Sequence, residues 1–182
     1  MDRDLDHVLV ESCRNGDRAA FASLVTRYQQ PIYNAAYRML GNADDAADTA
    51  QAVFLKVAER LGEYDPRFKF FSWLYRIAVN ESLNLLRRNG REERVEEAMD
   101  FAGPASADPE WQLNEAQVSK RVQEALMRMN ANDRAVLTLR HFSEFSYREM
   151  SVILELDEKT VKSRLYEARH RLRELLRDLQ NA

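Results

Sequence analysis

The sequence predicts an all-α chain, and three observations carry that expectation. Its five glycines and four prolines all precede Glu110, so the stretch from Glu110 to Ala182 holds no breaker, which a strand-built segment would need. Between the N-terminal breakers, apolar residues recur at helical spacing: Phe21, Leu24, Val25 and Tyr28 form one stripe, and Ala46, Ala50, Val53, Val57 and Leu61 another. No run shows the period-two alternation of a half-buried strand.

Composition narrows the function classes. The 182 residues are 45% hydrophobic and 31% charged, enough apolar surface for packed cores. With 27 basic and 30 acidic residues the net charge is −3, so any nucleic-acid surface must be local rather than a uniformly basic coat. Cys13 is the only cysteine, which excludes an internal disulfide, and His7, His141 and His170 are too dispersed to suggest a metal centre. The acidic start Met1-Asp2-Arg3-Asp4 has the wrong sign for a signal peptide, and no apolar run approaches the roughly 18 residues of a membrane span. A soluble cytoplasmic chain without membrane insertion, metal or cofactor is expected.

Residues 91–110 stand apart. Seven acids accompany only Arg91 and Arg94, and Gly103, Pro104, Ser106 and Pro109 add a composition that resists packing. They read as a flexible acidic linker between two small helical domains, 1–90 and 111–182. Each is near the lower size limit for independent folding.

The first candidate site runs from Tyr64 to Tyr75 and carries six aromatic residues in twelve, interleaved with Arg67 and Lys69 and followed by Arg76. Rings beside cations suit unpaired bases, since stacking contributes about 1–3 kcal/mol per base and cations neutralise phosphates. A dense core is the competing explanation, with Phe71 and Trp73 its expected members. In the helix that comes next, Arg76, Asn80, Asn84 and Arg87 share one face. Asparagine offers both a donor and an acceptor, as reading a base edge requires. From Arg67 to Arg91 six basic residues meet a single acid, Glu81, where an ordinary solvated face would mix signs.

The second is a helix-turn-helix. Ser146 with Glu149 three residues on has capping-box spacing and opens a short helix to Leu154. Glu155-Leu156-Asp157 forms the turn, and Asp157 caps a second helix whose Val161, Leu165, Ala168, Leu172, Leu175 and Leu179 face inward. Lys159, Lys162, Ser163, Tyr166, Arg169 and Arg173 lie outward, as major-groove reading demands, although a basic exposed face of a coiled coil shows the same spacing. The third is the face of Asp45, Asp48 and Gln51, opposite the alanine stripe. First-turn acids are ordinary dipole partners, but Gln51 lies beyond the first turn, and a protein-binding face is the functional reading.

These residues resemble a known family. Asp45-x-x-Asp48-x-x-Gln51-x-x-Phe54-Leu55, then Phe71-x-Trp73-Leu74-x-x-Ile77-Ala78-x-Asn80, resembles region 2 of the extracytoplasmic-function (ECF) class of bacterial sigma factors. Tyr147-x-Glu149-Met150, with Thr160-Val161-Lys162-Ser163-Arg164-Leu165 and Ala168-Arg169, resembles their region 4. The resemblance implies a transcription initiation factor, not an enzyme. Asp45, Asp48, Gln51, Phe54 and Leu55 would dock on the clamp helices of the largest RNA polymerase subunit, and region 4 on the flap of the second. Tyr64, Arg67, Phe68, Lys69, Trp73, Arg76, Ile77, Asn80, Asn84, Arg87 and Arg88 would melt and hold the −10 element. Arg148, Lys159, Thr160, Lys162, Ser163, Arg164, Tyr166, Arg169 and Arg173 would read the −35 element, and an anti-sigma protein would restrain the whole. Four positions depart from the pattern: Ala52 stands where an acid usually follows the glutamine, Ser151 where alanine is common, Glu155 where the turn usually has glycine, and Glu167 where a basic residue is frequent. The alternative is a stand-alone helix-turn-helix regulator with a helical sensing domain, which leaves the aromatic cluster and the Gln51 face unexplained.

Overall fold

The computed structural model describes residues 3–90 and 119–181, and every regular element among them is helical. Helix α1 (Arg3–Arg14) turns through Gly16, at φ +89°, into α2 (Arg18–Leu40). Asp17 caps α2 by accepting from the Ala19 and Ala20 amides, at 2.8 and 3.2 Å. The helix runs uninterrupted through Pro31, a residue that sequence reasoning treats as a breaker, and ends at Gly41 in the left-handed region. Asn42 then accepts from the Asp44 and Asp45 amides and starts α3 (Ala43–Arg60). A single 3-10 turn, Leu61–Glu63, leads to α4 (Phe70–Arg88). Arg14 ties this turn to α1 by donating to the carbonyls of Leu61 and Tyr64.

The second half opens with α5 over residues 119–127, followed by α6 (Ala131–Leu137), which passes directly into a π-helical turn, Thr138–Phe142. Helices α7 (Tyr147–Leu154) and α8 (Glu158–Asn181) form the helix-turn-helix. The linker expected at 91–110, and the expected start of the second domain at 111, lie outside the described residues.

The predicted stripes point where their periodicity puts them. Ala46, Ala50, Val53, Val57 and Leu61 are all buried, as are Leu24 and Tyr28 of the α2 stripe, whose Phe21 and Val25 are half-buried. In α8 the stripe is tight at Val161, Leu165 and Ala168 and becomes half-buried at Leu172, Leu175 and Leu179, where the helix extends past its neighbours. The ranking of the aromatic cluster is corrected. Phe70, Tyr64 and Tyr75 are the core rings, whereas Phe71 and Trp73 are half-buried.

The two halves are not separate bodies joined only by a chain. One continuous apolar core extends from Val10 in α1 to Ala168 in α8. Phe71 stacks on Phe145 with centroids 5.0 Å apart, and Tyr75 meets the same ring edge-on at 4.9 Å. Polar bonds reinforce the seam: Ser143 donates to the Tyr75 hydroxyl at 3.1 Å, and Gln123 donates to the Tyr37 carbonyl at 3.0 Å.

Candidate functional site

The aromatic loop sorts its residues into two classes. Tyr64 is buried edge-on against Phe70 and tilted against Trp73, and its hydroxyl donates to the Phe68 carbonyl at 2.7 Å. That bond fixes the loop and leaves the Phe68 ring 46% exposed at its tip. Arg67 is clamped on Asp65 through paired bonds of 2.8 and 2.6 Å, and that hydrogen bonding holds the Asp65 carboxyl below its usual range. Along α4, Asn80, Arg87 and Arg88 are exposed, and Asn84 accepts from Arg87 at 3.0 Å. Two expected base contacts are corrected: Tyr64 and Ile77 are core residues, 5% and 8% exposed, so neither offers a free face. The usable surface is Phe68, the cations Lys69 and Arg76, and the amides of Asn80 and Asn84, a combination suited to a phosphate chain with unstacked bases.

Lys69 and Arg76 are already engaged. Lys69 pairs with Glu149 at 2.7 Å, and Arg76 pairs with Glu155. Both acids belong to the helix-turn-helix. Burial works to raise the Glu149 pKa, but the hydrogen bonds from Lys69 and Ser146 outweigh it and hold the carboxyl below its ordinary 4.5.

In the helix-turn-helix, Ser146 and Glu149 form the anticipated capping box, with bonds of 3.3 and 2.9 Å. Glu155 takes the left-handed conformation, φ +54°, at the position where glycine would be unstrained. Ser151, one turn earlier, donates its hydroxyl to the Leu156 carbonyl at 2.5 Å and so pins the turn, a role its spacing does not advertise. Asp157 accepts from both the amide and the hydroxyl of Thr160, so Thr160 is a cap partner of α8. Lys159, Lys162, Ser163, Tyr166, Arg169 and Arg173 are exposed on one α8 face, with Arg164 half-buried at its margin and Arg148 exposed on α7. Two of these side chains are oriented by neighbours. Lys162 sits over the Tyr147 ring at 5.4 Å, and Arg169 donates through Nε to His141 Nε2 at 3.0 Å. Burial, then the Arg169 and Arg140 charges, keep the His141 pKa below 6.5, so the acceptor form prevails at neutral pH.

The third surface is an open apolar groove of about 470 Å³ between α2 and α3. Gln51, Phe54 and Leu55 line one wall, with Leu55 61% exposed and Phe54 only 9% exposed. Phe21, Val25 and Tyr33 of α2 supply the other wall and were not anticipated as functional, although Phe21 and Val25 lie one step round the helix from the fully buried Leu24 and Tyr28. Asp48 is exposed and Asp45 half-buried one turn earlier on α3. Among the described residues, no group of three or more His, Cys, Asp and Glu could hold a metal ion, and no helix is long and apolar enough to cross a membrane.

Residues 24–92 match the sigma-70 region 2 family, and residues 119–172 match sigma-70 region 4. The chain is 32% identical over 179 residues to the ECF RNA polymerase sigma factor SigW of Bacillus subtilis, covering 93% of this chain and 96% of that one. It is 31% identical over 173 residues to the ECF RNA polymerase sigma-E factor of Escherichia coli, with 90% of each chain covered. Among solved structures, CnrH in complex with the cytosolic domain of CnrY superposes with a TM-score of 0.71 at 25% identity, over 96% of this chain and 98% of that one. The sigma factor RpoE in complex with the anti-sigma factor NepR from Bartonella quintana gives 0.70 at 25% identity, over 86% and 96%.

Proposed function

The chain belongs to the ECF class of sigma factors, transcription initiation factors that direct RNA polymerase to promoters, and we propose a division of labour among its three surfaces. The observation that carries it is the order of the two matches: region 2 coincides with the groove and the α4 face, and region 4 with the basic helix-turn-helix.

The α2–α3 groove, with Leu55 at its lip and Asp48 and Gln51 beside it, docks on core polymerase. An exposed leucine over an apolar trough supplies the buried anchor, and the carboxylates select a basic partner. Phe68, Asn80 and Asn84 hold an extruded base of the −10 element, while Lys69, Arg76, Arg87 and Arg88 neutralise the strand's phosphates. Unpairing costs a few kcal/mol per base, and stacking with amide contacts offsets part of it. The outer face of α8 reads the −35 element in the major groove, with Lys159, Lys162 and Ser163 at the N-terminal end nearest the bases. The domains divide at the acidic segment 91–110, and the chain itself makes and breaks no covalent bonds. Working with the polymerase, it acts in the cytoplasm.

Restraint by an anti-sigma protein belongs to the same reading, supported by RpoE, which was solved with the anti-sigma factor NepR. The stand-alone regulator is not favoured, because it leaves the region 2 match without a purpose. Permanganate footprinting tests the base-trapping role. With Asn80→Ala, reactivity of −10 thymines falls about tenfold while core binding persists, as loss of a contact made only in the open complex demands. Undiminished melting would remove Asn80 from the role.

A further inference from the structure

Arg14, the last residue of α1, lies on none of the three surfaces, yet its guanidinium is engaged by the backbone of the segment that precedes α4. Nε and one terminal nitrogen donate to the Leu61 carbonyl at 3.3 and 3.2 Å, and the same terminal nitrogen donates to the Tyr64 carbonyl at 2.5 Å. The other terminal nitrogen pairs with Glu11 at 2.7 Å. The side chain is only 25% exposed, so these bonds are sheltered from competing water. Leu61 closes α3, where the last carbonyls of a helix need donors and favour a cation. The planar guanidinium fork spans that carbonyl and the one three residues on.

Attachment of α1 does not account for this contact. Asp6, Val10 and Arg14 follow one another at four-residue intervals on one face of α1. Asp6 accepts from the buried Tyr28 hydroxyl at 2.5 Å and pairs with Arg27 at 3.2 Å, and Val10 sits in the core, so these two already fasten α1 to α2. Arg14 reaches instead to the aromatic loop, and the contact is passed along it. The guanidinium carbon lies 5.8 Å from the centroid of the Tyr64 ring, Phe70 and Trp73 pack against the same ring, and its hydroxyl donates to the Phe68 carbonyl at 2.7 Å. Tyr64 is therefore a strut with Arg14 at one end and the exposed Phe68 tip at the other. The brace of Arg67 on Asp65 joins residues two apart, with the Arg67 side chain open to solvent, and so shapes the loop without fastening it to the domain.

We propose that Arg14 is a positioning residue for the −10 site: acting through Tyr64, it fixes the Phe68 ring so that an extruded base meets a loop already in place. The inference rests on the base-holding role given above to Phe68, Asn80 and Asn84. A loop ordered in advance spares binding the entropy of ordering it, and a tip that cannot wander meets the base in one geometry.

The test uses holoenzyme assembled from core polymerase and the full chain, on a promoter fragment that it transcribes. Permanganate reactivity of the −10 thymines is measured for the parent, Arg14→Met, Phe68→Ala and the two combined. Arg14→Met keeps an apolar stem and removes the donors, and it lowers reactivity about threefold to tenfold. Added to Phe68→Ala it lowers reactivity no further, because the ring that it positions is gone. Arg14→Lys keeps the charge without the planar fork and is intermediate. Glu11→Gln removes the exposed ion pair, leaves the carbonyl bonds and matches the parent. In the free protein, Arg14→Met speeds hydrogen exchange at the Tyr64 and Phe68 amides, which donate to the Leu61 and Asp65 carbonyls, and leaves exchange at Leu24 and Tyr28 of α2 as in the parent. Parent-like melting in Arg14→Met overturns the positioning role, and so do losses from Arg14→Met and Phe68→Ala that multiply. Exchange that rises equally in α2 overturns it as well, since that is the behaviour of an arginine that only supports the fold. Failure of the −10 reading itself is seen separately: Phe68→Ala and Asn80→Ala would then each leave melting as in the parent.

Discussion

The buried guanidinium of Arg134 in α6 donates to the main-chain carbonyl of Met39, 2.5 Å away at the end of α2 and 95 residues earlier in the chain. The last carbonyls of a helix lack partners within it, and here the second half supplies one, Arg134 on Met39, while Gln123 adds a second donor to the Tyr37 carbonyl that the Gly41 amide already serves. Arg38 extends the join by lying over the Phe142 ring at 4.2 Å. The closure of the two halves is therefore built at the C-terminus of α2 as well as at the α4–α7 seam.

Arg134→Met consequently removes a charge-assisted bond and leaves the Met39 carbonyl without its donor. A loss of about 1.5–3 kcal/mol in urea unfolding is expected. Stability within about 0.5 kcal/mol of the parent would show that this bond does not hold the halves together.

Glu155→Gly sets two effects against each other. Relief of the left-handed conformation contributes about 1 kcal/mol, and the exposed pair with Arg76 is worth about 0.2–1 kcal/mol. Thermal denaturation should show a stability equal to or slightly above the parent. A fall of more than about 1 kcal/mol would mean that Glu155 is held by something other than the Arg76 pair.

Much of this architecture was legible in the sequence because it is local. The buried stripe of α3, the Ser146–Glu149 box and the turn at Glu155 are set by spacing and capping chemistry within a few residues. The ring ranking was not legible in the same way: Phe70 and Phe71 are adjacent, but Phe70 is enclosed by Tyr28, Tyr64 and Trp73, whereas the half-buried Phe71 meets Phe145 of the second half. Nor does spacing announce that Lys69 meets Glu149, or that α2 lends Phe21, Val25 and Tyr33 to the groove beside Gln51. Pro31 reads as a breaker, yet a long helix buried on one side tolerates it, and its carbonyl accepts from the Tyr75 hydroxyl at 3.2 Å. Tyr64 was placed among the base contacts because a ring suited to stacking on a base is equally suited to filling a core, and the Thr160 hydroxyl also serves the α8 cap.

Leu55→Asp tests the groove. Leu55 is largely exposed, so the fold should be unaffected, while an anchor converted to a charge should weaken binding to core polymerase at least tenfold. Full affinity in a pull-down would exclude this lip from the interface.

His141 predicts a pH response. Its unfolded imidazole titrates at 6.5 and the folded one lower, so the folded state is fully favoured above pH 6.5 and loses that contribution as pH falls from 6.5 through the folded pKa. Protonation also abolishes the acceptor that orients Arg169. Glu149 contributes no slope there, because its depressed pKa confines its loss to below 4.5. Between about pH 7 and 5.5 the parent should lose thermal stability relative to His141→Gln. Parallel curves would show that the imidazole titrates alike in both states.

Run-off transcription decides the sigma assignment itself. Core RNA polymerase is supplied with promoter fragments from the source genome, with and without the full chain. The assignment predicts discrete transcripts that require the protein and begin at fixed start sites, with both promoter elements upstream. Failure to bind core polymerase, together with no transcript that depends on the chain, would contradict it.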